Sequence, residues 1–99
     1  MSQVITTPRA IQGMDRCRRF LAQLSPEAAR RADRVIAEAL ARLDSGQLRG
    51  RPHENYPTLR EVLIPFGKSG YQALVRYEPE HDVVRILAFK HSREEKYRP

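Results

Sequence analysis

Residues 70–97 read GYQALVRYEPEHDVVRILAFKHSREEKY: two apolar runs, a polar turn containing proline between them, and then an abrupt basic exit. Successive side chains of a strand point to opposite faces, so Tyr71, Ala73, Val75 and Tyr77 share one face and Leu74 and Arg76 the other. That alternation predicts a half-buried strand. Residues 83–89 are apolar at nearly every step apart from Arg85, the pattern of a central strand covered on most of both faces. Glu78-Pro79-Glu80-His81-Asp82 is too polar for a sheet interior, and Pro79 presets the backbone for a turn. The two runs therefore form an antiparallel hairpin, with the strand ending after Phe89. Beyond it, residues 90–98 gather Lys90, His91, Arg93, Lys96, Tyr97 and Arg98 at the end of a rigid element, where functional groups are commonly placed.

Upstream, Leu59-Arg60-Glu61-Val62-Leu63-Ile64 reads as a further strand stopped by Pro65, with residues 66–70 connecting it to the hairpin. These strands make a meander with an apolar face in need of cover. Two helices supply it. Thr7-Pro8 and Ser25-Pro26-Glu27 are both an N-cap followed by proline at the first helical position. Ala10, Met14, Cys17, Leu21 and Leu24, with Phe20 beside them, make one apolar stripe. Ala28, Ala29, Ala32, Val35, Ile36, Ala39, Leu40 and Leu43 make the next, which Asp44-Ser45-Gly46 ends. Hardly any residues separate the helices, so they must turn back as an antiparallel pair. Residues 2–7, SQVITT, read as a short first strand, and residues 47–58, with Gly50, Pro52 and Pro57, as a basic loop.

The fold class that follows is α+β in one domain over residues 1–99. An N-terminal helical hairpin packs on a small, mainly antiparallel sheet in the order β-α-α-β-β-β, and a short C-terminal segment follows. One cysteine excludes an internal disulfide framework and suits a reducing compartment. No apolar run approaches the ~20 residues of a membrane span, so the expected location is the cytoplasm. The formal charge of +6, carried mostly by arginine, favours an acidic protein or nucleic acid as partner.

His53, His81 and His91 lie in separate segments without zinc spacing, and Ser69 and Ser92 lack any nucleophile motif, so no metal, cofactor or triad is expected. The cluster over residues 90–97 is the best candidate site: His91 and Tyr97 can each exchange a proton, and Arg60 and Arg76 add positive charge from neighbouring strands. The competing assignment is a solvated C-terminal turn, with Arg60 and Arg76 paired to Glu61 or Glu78. Cys17 belongs to a core stripe and reads as a small buried residue.

Taken in order, Thr7-Pro8-Arg9-Ala10, Ser25-Pro26-Glu27-Ala28-Ala29, Leu59-Arg60-Glu61, YQALVRY at 71–77 and FKHSREEKY at 89–97 resemble the RelE/ParE superfamily of bacterial toxins from type II toxin–antitoxin pairs. The resemblance spans essentially the whole chain and implies a fold similar to the one above. It also implies a cognate antitoxin whose extended, helix-containing segment wraps the toxin, and contact with DNA only indirectly, through the toxin–antitoxin complex.

Two branches of the superfamily differ in chemistry. RelE-like members cleave mRNA in the ribosome with basic residues on the sheet and a C-terminal tyrosine; ParE-like members poison DNA gyrase. Where RelE-like nucleases carry lysines on the second strand, this chain has Leu63 and Pro65, and Gln72 stands where they have arginine. His91 lies near another expected arginine. A tyrosine and a histidine without flanking cations poorly stabilise the charge developing on a cleaved phosphate. The resemblance therefore favours a gyrase inhibitor with no catalytic residues, whose target contacts are Arg60, Arg76, Lys90, His91, Arg93 and Tyr97. The alternative is a ribosome-dependent mRNA endonuclease using His91, Arg93 and Tyr97; a plain nucleic-acid-binding module is the third reading.

Overall fold

Both proline-led helices begin where their caps demand. In the computed structural model, which describes residues 3–44, 50–56 and 58–98 apart from the side chain of Asp44, α1 spans Pro8–Leu24 and α2 spans Pro26–Asp44. The Thr7 hydroxyl accepts from the Ala10 N–H at 3.3 Å and satisfies a donor that the first helical turn leaves unpaired. Its own proton goes to the Ile86 carbonyl at 2.7 Å, which fastens the start of α1 to the sheet. Ser25 alone joins the helices. Its N–H donates to Leu21 O at 2.8 Å to close α1, and its hydroxyl accepts from the Ala28 N–H at 3.1 Å to open α2. Arg18 and Asp33, almost equally far from Ser25 along the chain, pair at 3.3 Å, as a hairpin of helices folded back on itself requires.

The sheet contains β1 (Gln3–Thr6), β2 (Arg51–Pro52), β3 (Arg60–Phe66), β4 (Ser69–Glu78) and β5 (Val83–His91) in the spatial order β1-β5-β4-β3-β2. β1 runs parallel to β5, Gln3 opposite Val83 and Thr6 opposite Ile86, and all other pairs are antiparallel. The chain order is thus β-α-α-β-β-β-β. It contains the expected meander and adds one strand inside the segment read as a loop: Arg51 and Pro52 pair with Glu61 and Arg60. The rest of that reading, from 47 to 49 and at 57, lies outside the described residues, as do Ser45 and Gly46.

The core forms where small helical residues meet large sheet residues. Ala10, Cys17, Ala32 and Ala39 pack toward Val62, Ile64, Tyr71, Ala73 and Phe89, all buried. Fully burying side chains such as Phe89, Ile86 and Val62 is worth about 2 kcal/mol each. Gly13 is buried in α1 because a Cβ there would fall inside contact distance of the Phe89 carbonyl oxygen. The helix backbone lies directly on β5.

Several element ends differ from expectation. β3 does not stop at Pro65 but runs through it to Phe66; β2 covers only Arg60 and Glu61, so at Pro65 the outer edge of β3 is open and a missing N–H breaks no ladder bond. The connection to β4 shrinks to Gly67 and Lys68, with Gly67 at φ 62°. Leu24 and Phe20 are not core residues: they are 70 % and 67 % exposed, and Gly13 takes the place in the buried stripe. Tyr77 is half exposed, and its hydroxyl donates to Asp82 Oδ1 at 3.3 Å. β5 continues past Phe89 to include Lys90 and His91.

One irregularity decides where the end of β5 points. Leu74 faces Ala88 but Val75 faces Ile86, so Leu87 is an extra residue on β5. Simple alternation would put Ile86, Ala88 and Lys90 on one face. The bulge instead returns Phe89 to the helix side with Ile86 and sends Ala88 and Lys90 to the opposite, open face.

Candidate functional site

The basic cluster at the end of β5 is divided by the sheet. His91 follows Phe89 onto the helix side, where its ring meets the edge of Tyr71 at 5.6 Å between centroids. The Arg93 N–H donates to His91 Nδ1 at 3.1 Å, so the neutral ring carries its proton on Nε2, which lies 3.2 Å from Ser69 Oγ and donates to it. The His91 N–H in turn donates to Glu94 Oε1 at 3.1 Å. Arg93 is exposed beside this ring. Together with α1 and the β3–β4 turn these residues wall a cleft of about 590 Å³.

Lys90 and Tyr97 lie on the open face. Lys90 is only 5 % exposed, and its ammonium donates to the Glu94 carbonyl at 2.7 Å and sits 5.3 Å from the centre of the Tyr97 ring. The Tyr97 hydroxyl donates to Glu61 Oε2 at 2.9 Å, across to β3. Burial first, and then the Glu61 carboxylate as acceptor and neighbouring charge, push the phenol well above its ordinary value. Such a phenol resists becoming phenolate and is a poor general base.

Arg60 donates to the Gly50 carbonyl at 3.4 Å, near the β2 edge. Arg76 and Arg85 stand opposite each other on β4 and β5 and share one carboxylate, Glu78 Oε2, at 3.2 and 2.7 Å. That resolves Arg76 as a Glu78 partner and adds Arg85, which the sequence reading passed over as an interruption in an apolar run. Hydrogen bonds from Arg85 hold the Glu78 carboxyl below the usual carboxylate range, with Arg76 adding to them. Arg60, Arg76, Lys90, His91, Arg93 and Tyr97 thus do not form one constellation. His91 and Arg93 share the cleft, Lys90 and Tyr97 share the open face, and Arg76 lies at the far end of β4 from the Lys90 pairing.

Positions 63, 65 and 72 belong to the open face by alternation from buried Val62, Ile64, Tyr71 and Ala73, and carry Leu, Pro and Gln. Cys17 is buried in the wall of the cleft, and burial there, aided by Glu94, pushes its thiol up to about 11. Among the described residues no three of His, Cys, Asp and Glu come together to hold a metal ion, and no helix is long and apolar enough to cross a membrane.

The family described as the ParE toxin of the type II toxin–antitoxin system parDE has a profile that matches residues 4–96. Two similar relatives come from Caulobacter vibrioides. Toxin RelE3 is 33 % identical over 95 residues, covering 95 % of this chain and 98 % of the relative. Toxin RelE1 is 32 % identical over 93 residues, covering 94 % and 96 %.

Proposed function

The chain belongs to the ParE family of toxins from type II toxin–antitoxin systems, within the RelE/ParE superfamily, and from that premise we propose that it arrests growth by binding DNA gyrase, without cutting RNA. It acts in the cytoplasm as a single toxin domain over residues 1–99, and a cognate antitoxin holds it inactive. The observation that carries this reading is the commitment of Tyr97 to Glu61 on a sheet face whose positions 63, 65 and 72 bear no cation.

Cleaving an RNA phosphodiester through its own 2′-hydroxyl needs a base to take that proton, an acid to protonate the departing 5′-oxygen, and cations for the charge gathering on phosphorus. Tyr97 is held protonated against a carboxylate, which also repels phosphate. His91, the other proton carrier, is on the helix side of the sheet, tied to Ser69 and Arg93. Lys90 is buried and engaged by Glu94 and the Tyr97 ring. These positions support a binding surface more than a catalytic one, with Arg93 and the C-terminal segment as contacts.

Purified protein is expected to block supercoiling of relaxed plasmid by gyrase at micromolar dose, and Tyr97→Phe to leave the block intact. Indifference of gyrase to the protein removes the proposal. The competing reading, ribosome-dependent mRNA cleavage, draws on the relatives bearing RelE names and on Lys90 beside Tyr97. It predicts discrete cuts in mRNA on translating ribosomes that Tyr97→Phe abolishes.

A further inference from the structure

The cleft between α1, the β3–β4 turn and the residues after β5 is built for a ligand of two characters. Its floor is apolar: the Phe66 and Tyr71 rings lie tilted against each other with centroids 6.2 Å apart, and Leu21 and Phe20 close the α1 side. Phe20 is 67 % exposed and Leu24, one helical turn on, is 70 % exposed, so an apolar strip leads from the cleft along α1. Exposed side chains of this size on a continuous strip mark a surface that another molecule covers.

Its rim is cationic. Arg16, Arg93 and Arg98 line the cleft against a single carboxylate, Glu94, which Arg16 and Arg98 already engage at 3.4 and 3.7 Å. Arg16 Nε is buried with no acceptor among the described residues.

We propose that this cleft is the anchor point for an acidic, amphipathic segment of the antitoxin, one that places an Asp or Glu within a helical turn of a bulky apolar side chain. The apolar side chain enters over Phe66 and Tyr71 beside Phe20, and the carboxylate meets the exposed Arg93 at the rim. A neutral peptide would cover the Arg93 guanidinium without giving it a carboxylate, and a phosphate would leave Phe20 and Leu24 uncovered. A segment of this composition is unstructured alone and orders on binding, so its apolar anchor and its charge must both be satisfied at one place. The inference rests on the toxin–antitoxin reading and specifies where and by what chemistry neutralisation occurs.

The test uses the full chain and the purified antitoxin that neutralises it in co-expression, with affinity measured by titration calorimetry. Phe20→Asp is expected to weaken binding about a hundredfold, as loss of a central apolar anchor does. Arg93→Glu is expected to weaken it about tenfold or more. Arg34→Glu, exposed on α2, makes the same charge change elsewhere and is expected to leave affinity within about twofold. Phe20 and Arg93 are exposed, so the variants are expected to keep wild-type melting curves; Phe20→Ala replaces Phe20→Asp if that variant does not fold. Wild-type affinity in both cleft variants overturns the inference and leaves the toxin reading standing. So does an equal loss in Arg34→Glu, which would reduce the effect to net charge, or a loss of toxicity with antitoxin affinity unchanged, which would assign the cleft to the target. If no antitoxin neutralises the wild-type chain, the toxin–antitoxin reading fails and takes this inference with it.

Discussion

The hydroxyl of Tyr97 donates to Glu61 Oε2 at 2.9 Å, joining the residues after β5 to the far side of the sheet. Because the bond needs the phenol protonated, the folded chain holds this proton more tightly than the unfolded one. A group whose folded value is raised contributes stability below its unfolded value and loses it as pH climbs. Tyr97 should therefore make the fold weaken above about pH 10, the ordinary tyrosine range. Following the melting temperature from neutral to alkaline pH checks this, and Tyr97→Phe should flatten the upper part of that curve. In Glu61→Gln the tyrosinate absorbance should rise at lower pH than in wild type.

Cys17 behaves in the same sense at lower pH. Its thiol is pushed up to about 11 from 9.0, so its contribution to stability is complete below about pH 9 and fades toward pH 11. Cys17→Ala should remove that component. At neutral pH a water-soluble maleimide should label the native chain slowly and the unfolded chain fast.

At Gly13 the α1 backbone rests on the Phe89 carbonyl with no room for a methyl group. Gly13→Ala should destabilise the fold by about 2 kcal/mol or more even though alanine is the better helix former, because the helix must lift off β5. Denaturant midpoints measure it. An unchanged or higher midpoint would contradict the packing described.

Thr7 serves the helix and the sheet with one oxygen, accepting from Ala10 and donating to Ile86. Thr7→Val keeps the shape and removes both bonds, at an expected cost of about 1–2 kcal/mol. Hydrogen exchange should quicken at the β1 amides paired with β5, since the cap is their nearest tether.

Glu78 separates Arg76 from Arg85, two like charges placed opposite each other across a hairpin. Its carboxyl is held below the ordinary carboxylate range, so its contribution is present above that range and lost as pH falls through it. Glu78→Gln should lower the melting temperature at neutral pH, reduce its fall in acid, and make it rise with added salt.

The fold was legible wherever chemistry was local. Thr7-Pro8 and Ser25-Pro26 mark helix starts by unpaired donors and a missing N–H, and the runs at 59–64, 71–77 and 83–89 mark strands by apolar content. What escaped was set by partners distant in the chain. Pro65 argues against a strand unless it is known that β2 stops short of it. Leu24 and Phe20 fit the helical period, yet the sheet reaches only part of α1. Residues 90–97 stand out in the sequence as a basic cluster, but their arrangement does not: the bulge at Leu87 has no signature within the apolar residues 86–89 and turns His91 and Lys90 to opposite faces. Glu61 stands in the sequence only as a possible partner of Arg60, and nothing local marks it as the acceptor for Tyr97.

The parallel pairing of β1 with β5 has a consequence for how the cell makes this molecule. Gln3–Thr6 can find its partner only after Val83–Ile86 has been synthesised, and α1 must wait for the same strand to lie upon. Contacts this far apart close late and slowly. The sheet therefore closes only after Val83–Ile86 has left the ribosome, so the toxin fold is completed late in synthesis, when most of the chain is already made.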